Sequence, residues 1–494
     1  MSDALDLLII GAGLSGIGAA CRYVTECPDG RYAILEQRER MGGTWDLFRY
    51  PGIRSDSDML TLGYDFRPWP GAKTLADGPS ILKYIRDTAA EYGVDEQVQY
   101  NSRVTSLDFD TGEDLWTVTV EDGRSGESHT MRARFVLSCA GYYRYDRGHD
   151  PEFQGRDDFS GTIVHPQFWP EDLDYAGKRV AVIGSGATAV TLVPELAKTA
   201  AHVVQVQRTP SYVASIPSED PIGKVTSRLL PQRQHYRFNR WKNIALSRFF
   251  YRRAIAKPAK ARANIRRKQI EQLGPDYPVD THFNPPYDPW TQRLCMVPDN
   301  DLFEAIAHGK ASIVTGHIER FEAAGIRMVD STLVEADIIV TATGLEVNFG
   351  GDAALSIDGQ SVDIADTFGF KGLMFSGVPN LVSVFGYTNA SWTLRADLMS
   401  RYAIRLIQHM DAHGYTRVTP VAPEGMEAGN WIEGFEAGYL MRVMDQLPKQ
   451  GDRSPWLNIQ DYKHDTRELL HASLETDGLV FSTADGAVMA EAAE

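Results

Sequence analysis

The chain has 494 residues, 43% hydrophobic and 23% charged, a balance typical of globular protein and too long for a single core, so two or three domains are expected. A net charge of -16 disfavours nucleic acid as a general partner, and no apolar run approaches the ~20 residues of a membrane-spanning helix. Four scattered cysteines (Cys21, Cys27, Cys139, Cys295) offer neither a disulfide framework nor a zinc site, which fits a cytoplasmic protein in a reducing compartment and predicts no metal centre.

Residues 6–10, apolar from Leu7 onward, predict a buried strand; Asp3 and Asp6 stand where a secretory leader would be positive. Gly11, Gly13 and Gly16 follow, then a helical stretch to about Val24 and a second strand, Tyr32–Leu35, ending at Glu36. Strand, GxGxxG, helix and acidic strand end together predict a dinucleotide site. Gly11 permits the turn, Gly13 lets backbone amides approach a pyrophosphate, and Gly16 allows close helix–strand packing. Glu36 would accept a hydrogen bond from a ribose hydroxyl, and Ser15 is assigned to the same turn. No CxxxxC pair follows this loop, which excludes a flavin disulfide reductase.

A loop rich in glycine, proline and aromatics (42–71) precedes a predicted helix at 80–92. β-type runs at 103–109, 115–121 and 132–138 then suggest a small antiparallel insertion, and 151–170 reads as a linker. A second βαβ unit begins with Arg179–Ile183, continues through Gly184, Ser185, Gly186, Thr188 and a helix to about Lys198, and ends on the strand His202–Gln207. Here Arg208 replaces the acid, with Thr209 beside it. A guanidinium pairs with a 2′-phosphate that a carboxylate would repel, so this loop is expected to take NADPH. The competing reading makes Arg208 a solvated surface residue.

Residues 221–290 read as a helical insertion, the run 336–341 as a returning strand ending in Ala342, Thr343 and Gly344, 381–385 as a strand, 393–412 as a helix, and the alanine- and glutamate-rich end as a mobile tail. The expected fold is α/β, with two Rossmann-like dinucleotide-binding domains. An FAD domain spans 1–145 and 340–494; an NADP domain over 150–335 is inserted into it and carries the helical insertion at about 221–290. Residues 224–268 hold fifteen Lys or Arg and no Asp or Glu, interleaved with aromatics. This segment is either a solvated face near the NADPH phosphates or a basic amphipathic surface for peripheral contact with an anionic membrane.

Between the two loops stand Phe159, Gly161, His165 and Trp169-Pro170-Glu171; upstream stand Gly42-Gly43-Thr44-Trp45, Tyr50-Pro51-Gly52 and Asp56. Both patterns resemble motifs of the Baeyer–Villiger flavin monooxygenases, and 41–61 with the YTNASWT stretch at 387–393 is similar to the ethionamide-activating subgroup. The resemblance covers nearly the whole chain. It implies FAD and NADPH as cofactors and a small ketone or sulfide plus O2 as substrates. Ketones would become esters or lactones through a flavin C4a-peroxide, and sulfides or thioamides would also be oxidised. Arg293 matches the family's catalytic arginine, in a stretch where relatives outside the subgroup often carry Lys at the position of Gln292. Asp56 would hold Arg293 and border the flavin, and Arg54 would meet the nicotinamide cofactor. Thr44, Trp45, Val104 and Gly344 are assigned to FAD, and His165 to the NADP-handling linker; Trp45 as core packing and His165 as a purely structural residue are the alternatives. Competing functions are a flavin monooxygenase for sulfur or nitrogen, a redox sensor without turnover, and an uncoupled NADPH oxidase.

Overall fold

The apolar run that opens the chain becomes the strand Leu5–Ile10, buried on both faces as parallel central strands are. The computed structural model describes residues 4–483; the expected mobile tail lies outside them. Leu5–Ile10 pairs in parallel with Tyr32–Leu35 on one side and with Ser128–Ser138 on the other. The first sheet runs Gln360–Ser361, Ala354–Ile357, Ser102–Asp110, Leu115–Asp122, Ser128–Ser138, Leu5–Ile10, Tyr32–Leu35, Val98–Gln99, with Leu381–Ser383 also on Ser128–Ser138.

The three runs expected as a separate antiparallel insertion are therefore part of this sheet. Ser128–Ser138 is long enough to serve three partners: its first half pairs antiparallel with Leu115–Asp122, and its second half lies parallel to Leu5–Ile10 and Leu381–Ser383. Three helices cover one face, Leu14–Glu26 packing between the other two. Gly78–Tyr92 is capped by Asp77, whose carboxylate accepts from the Ser80 amide at 2.8 Å, and Trp392–His413 ends at the left-handed Gly414.

The second sheet has five parallel strands, in the order Ala311–Thr315, His202–Gln207, Arg179–Ile183, Ile338–Thr341, Thr162–Val164. Two expectations are corrected by it. The linker at 151–170 contains the edge strand Thr162–Val164, whose three residues are too few to show periodicity between Gly161 and Pro166. The boundary at 335–340 cuts through Ile338–Thr341, which belongs to this second sheet because Ile338 pairs with Val180 and Thr162. The chain leaves the first unit along Tyr143–Gly148 and returns along Leu345–Val347, and these two crossings pair antiparallel with each other.

The helical insertion, Pro221–Leu229, Gln232–Ala256 and Pro258–Leu273, starts and ends at one place, where Val213–Ile216 pairs in parallel with Cys295–Pro298. One side of its longest helix is tied to the first unit. Tyr236 Oη donates to the Tyr64 carbonyl at 2.8 Å, and the buried Arg240 donates to the carbonyls of Leu60 at 2.8 Å and Gly63 at 2.7 Å.

Candidate active site

Both glycine loops open into one cavity of about 1590 Å³. At the first, Gly11 has φ +99°, and a Cβ there would stand 2.5 Å from the Cys139 carbonyl oxygen, so only glycine fits. A Cβ on Gly16 would collide with the Gly11 carbonyl, which brings the helix Leu14–Glu26 tight against its strand. That helix begins at Gly13 with no side-chain cap, leaving its first amides to the cavity. Glu36 is buried and its carboxylate accepts from the Ala12 amide at 2.9 Å and the Arg38 amide at 3.0 Å. Burial raises its pKa, and those two amides oppose the rise.

At the second loop, Gly184 has φ +142° and lies against the Ala342 carbonyl, whereas a Cβ on Gly186 would meet nothing within 4 Å. The cavity thus keeps an open cradle over the N-terminus of Ala187–Leu196. Ser185 Oγ donates to the Thr209 carbonyl at 2.9 Å, fixing this loop to the end of His202–Gln207. Arg208 is exposed, lines the cavity, and has no carboxylate partner among the described residues. Gln207, by contrast, is buried and donates to the His282 carbonyl and Thr315 Oγ1, so it shapes the strand end rather than the opening.

Between the loops, Arg293 meets Asp56. Arg293 precedes the strand Cys295–Pro298, Asp56 follows the Tyr50-Pro51-Gly52 turn, and both guanidinium bonds end on Asp56 Oδ2, from Nε at 2.9 Å and Nη2 at 2.5 Å. The Arg293 side chain is 39% exposed and that of Asp56 25%, and both line the cavity, so the cation faces the open space. Asp56 holds the Arg293 pKa well above its ordinary value, and the cation is permanent. Three phenols surround it: burial raises the pKa of Tyr142, Tyr143 and Tyr439, while Arg293 opposes each rise, so all three remain protonated donors. Tyr142 and Tyr143 share a hydroxyl–hydroxyl bond, and Tyr142 stacks on Trp392 with ring centroids 4.7 Å apart. Trp392 Nε1 in turn donates to Ser15 Oγ at 2.9 Å.

Cys295 also borders the cavity, but burial pushes its thiol up to about 12, which makes it inert. Arg54 Nη1 donates to Asp301 Oδ2 at 2.8 Å, while its Nη2 is a buried donor without a partner among the described residues.

Of the residues singled out in the sequence, Gly11, Gly13, Ser15, Glu36, Thr44, Trp45, Arg54, Asp56, Val104, Gly184, Ser185, Gly186, Thr188, Arg208, Thr209, Arg293 and Gly344 all line this cavity. Gly16 and His165 do not. Gly16 acts from behind, by packing. His165, assigned to NADP, instead sits against Gly148 at the inter-unit crossing, its Nδ1 accepting from the Gln167 amide at 3.2 Å. It packs there because a Cβ at Gly148 would overlap its ring; burial lowers its pKa, which keeps the ring neutral. Sequence reasoning missed Tyr142, Tyr143, Trp392 and Tyr439. The two tyrosines follow the C-terminal end of Ser128–Ser138, where ligand crevices of open α/β sheets form, and that position was a usable signal. Among the described residues, the group of acids and histidines close enough to share a metal ion is His409, His413 and Glu475, none of which lines the cavity.

Residues 74–364 match the flavin-binding monooxygenase-like family, and residues 9–68 match an NAD(P)-binding Rossmann-like domain. The chain is 48% identical over 484 residues to the FAD-containing monooxygenase EthA of Mycobacterium tuberculosis H37Rv, covering 98% of each chain. It is 47% identical over 492 residues to EthA of Mycolicibacterium smegmatis, covering 99% of each. Solved structures share the fold: a steroid monooxygenase bound to NADP (TM-score 0.71, 23% identity, 85% of this chain and 88% of that one) and an open cyclohexanone monooxygenase (TM-score 0.70, 22% identity, 86% and 91%). With two dinucleotide loops on one cavity and relatives of this identity along its whole length, the chain belongs to the flavin-binding monooxygenase-like family.

Proposed function

We propose that this chain is an FAD- and NADPH-dependent Baeyer–Villiger monooxygenase, converting a ketone, O2, NADPH and a proton into an ester or lactone, NADP+ and water. The observation that carries the reading is the Arg293–Asp56 pair facing a cavity bordered by both glycine loops. The residues fit two dinucleotides. The space over Gly186 is open, the helix starting at Gly13 has no side-chain cap, and Arg54 Nη2 is a buried donor without a partner among the described residues. Relatives described as FAD-containing, and neighbours solved with FAD and NADP, support the same assignment.

Gly11, Gly13, Ser15 and Glu36, with Thr44, Trp45, Val104 and Gly344 around them, would hold FAD. Gly184, Ser185, Gly186, Thr188, Arg208 and Thr209 would hold NADPH, with Arg54 reaching the nicotinamide end. FAD, when bound and reduced, supplies the electrons with which O2 is activated. Arg293 opposes the negative charge that develops on oxygen, and it costs no reorganisation because Asp56 already fixes it. Asp56 is thus a positioning residue. Trp392 couples the first loop to the Tyr142–Tyr143 pair.

The test is turnover of purified protein with NADPH, 18O2 and either a ketone or a sulfide. The reading expects one labelled oxygen in an ester. A sulfoxide without any ester supports a monooxygenase confined to heteroatoms, and hydrogen peroxide alone with every substrate rejects both.

A further inference from the structure

We infer that the outer face of the helical insertion is a docking surface for anionic phospholipid, on which the protein lies without crossing the bilayer. Nine of the fourteen large hydrophobic side chains exposed among the described residues fall within 222–255, with Leu229 at 74%, Trp241 at 65% and Phe250 at 60%. A monomer that leaves so many together in water has a surface made to be covered. The same stretch overlaps 224–268, which carries fifteen cations and no anion on a chain of net charge -16. Eight of these cations, Arg233, Arg237, Arg253 and Lys257 among them, have no carboxylate partner among the described residues.

The geometry separates this face from the one that holds the insertion in place. On the helix Gln232–Ala256, Phe238, Trp241 and Phe249 fall within an arc of about 80° at the α-helical repeat. Tyr236 and Arg240, which bond to the backbone of residues 60–64, project from the opposite side. The preceding helix Pro221–Leu229 exposes Ile222, Val225 and Leu229 at helical spacing, and among the described residues no helix is long and apolar enough to cross a membrane.

Basic and apolar side chains together on one exposed side are the pattern of an interfacial helix. The apolar groups enter the acyl boundary, and each Lys or Arg near the surface is drawn to acidic headgroups. Nucleic acid fits less well, because Ile222, Val225, Leu229 and Leu246 gain nothing from stacking on bases and the rest of the molecule is acidic. A second copy docking by a two-fold axis would set the same cations against themselves. The inference does not depend on the reaction assigned to the cavity.

The experiment is co-sedimentation of the flavin-loaded protein with phosphatidylcholine vesicles, with and without phosphatidylglycerol, at low and high salt. Binding should require phosphatidylglycerol and weaken with salt. The combined variant Trp241→Ser, Phe249→Ser, Phe250→Ser should bind at least about tenfold more weakly while keeping its flavin. Arg233→Gln, Arg237→Gln, Arg253→Gln should flatten the salt dependence, and it remains informative if the serine variant fails to fold. Equal binding or no binding with both vesicle types overturns the inference. So does a serine variant that binds like the parent. A self-associated parent that the serine variant dissociates makes the face a subunit interface, and a single-stranded oligonucleotide that displaces protein from vesicles makes it a nucleic-acid site; either result rejects lipid docking.

Discussion

Replacing Arg208 by alanine isolates the cofactor preference of the second loop. The side chain is exposed at the cavity wall and gives up no ion pair when removed, so its loss leaves no stranded acid behind. A hydrogen bond to a charged partner contributes about 1.5–3 kcal/mol, and solvent screening at an exposed site favours the lower end. At roughly 1.4 kcal/mol per tenfold, KM for NADPH should rise about 10- to 30-fold, with kcat nearly unchanged. KM for NADH, which has no phosphate for Arg208 to meet, should move less than about twofold. Steady-state oxidation of each cofactor by Arg208→Ala and the parent gives both ratios. An equal rise for the two cofactors would place Arg208 against a part they share, and no change in either would refute the reasoning.

The two glycines of that loop should separate stability from binding. Gly184→Ala meets the Ala342 carbonyl at a left-handed φ, so the melting temperature should fall by several degrees, a loss of about 1–3 kcal/mol. Gly186→Ala meets no protein atom, so melting should stay put while KM for NADPH rises, because the added methyl enters the cradle. Asp56→Asn keeps the shape but weakens the hold on Arg293: kcat should drop about 10- to 100-fold, with KM for the ketone little changed and more peroxide per NADPH. Trp392→Phe deletes the bond to Ser15 Oγ while keeping a ring against Tyr142, and flavin should dissociate several-fold more readily in equilibrium dialysis.

What could be read from residues alone was what neighbours along the chain decide. The turns at Gly11 and Gly184 are set within a few residues, so their spacing announced both loops, and the ends of Tyr32–Leu35 and His202–Gln207 placed Glu36 and Arg208 at the cavity. The apolar run 336–341 announced a strand, but not which sheet would take it, because pairing with Arg179–Ile183 is a long-range event. Thr162–Val164 left no periodic trace. Arg293 and Asp56 are 237 residues apart, and only family resemblance suggested that they meet. Trp392 and Tyr439 reach the cavity from the last quarter of the chain; Trp392 lies in the 387–393 stretch that resemblance marks without giving it a role, and nothing in the local pattern of Tyr439 distinguishes it from a core aromatic. His165 went the other way: its motif drew attention, and the fold uses it at the crossing between units.

The most direct test of the central claim is the amount of oxygenated product formed per NADPH consumed by Arg293→Gln, measured at matched flavin content. If the fixed cation opposes charge developing on oxygen, product formation falls by at least about a hundredfold, the loss expected when one such group is removed. NADPH consumption would then continue mainly as hydrogen peroxide. Ester formed within about threefold of the parent rate would mean that the guanidinium beside Asp56 has no part in the chemistry.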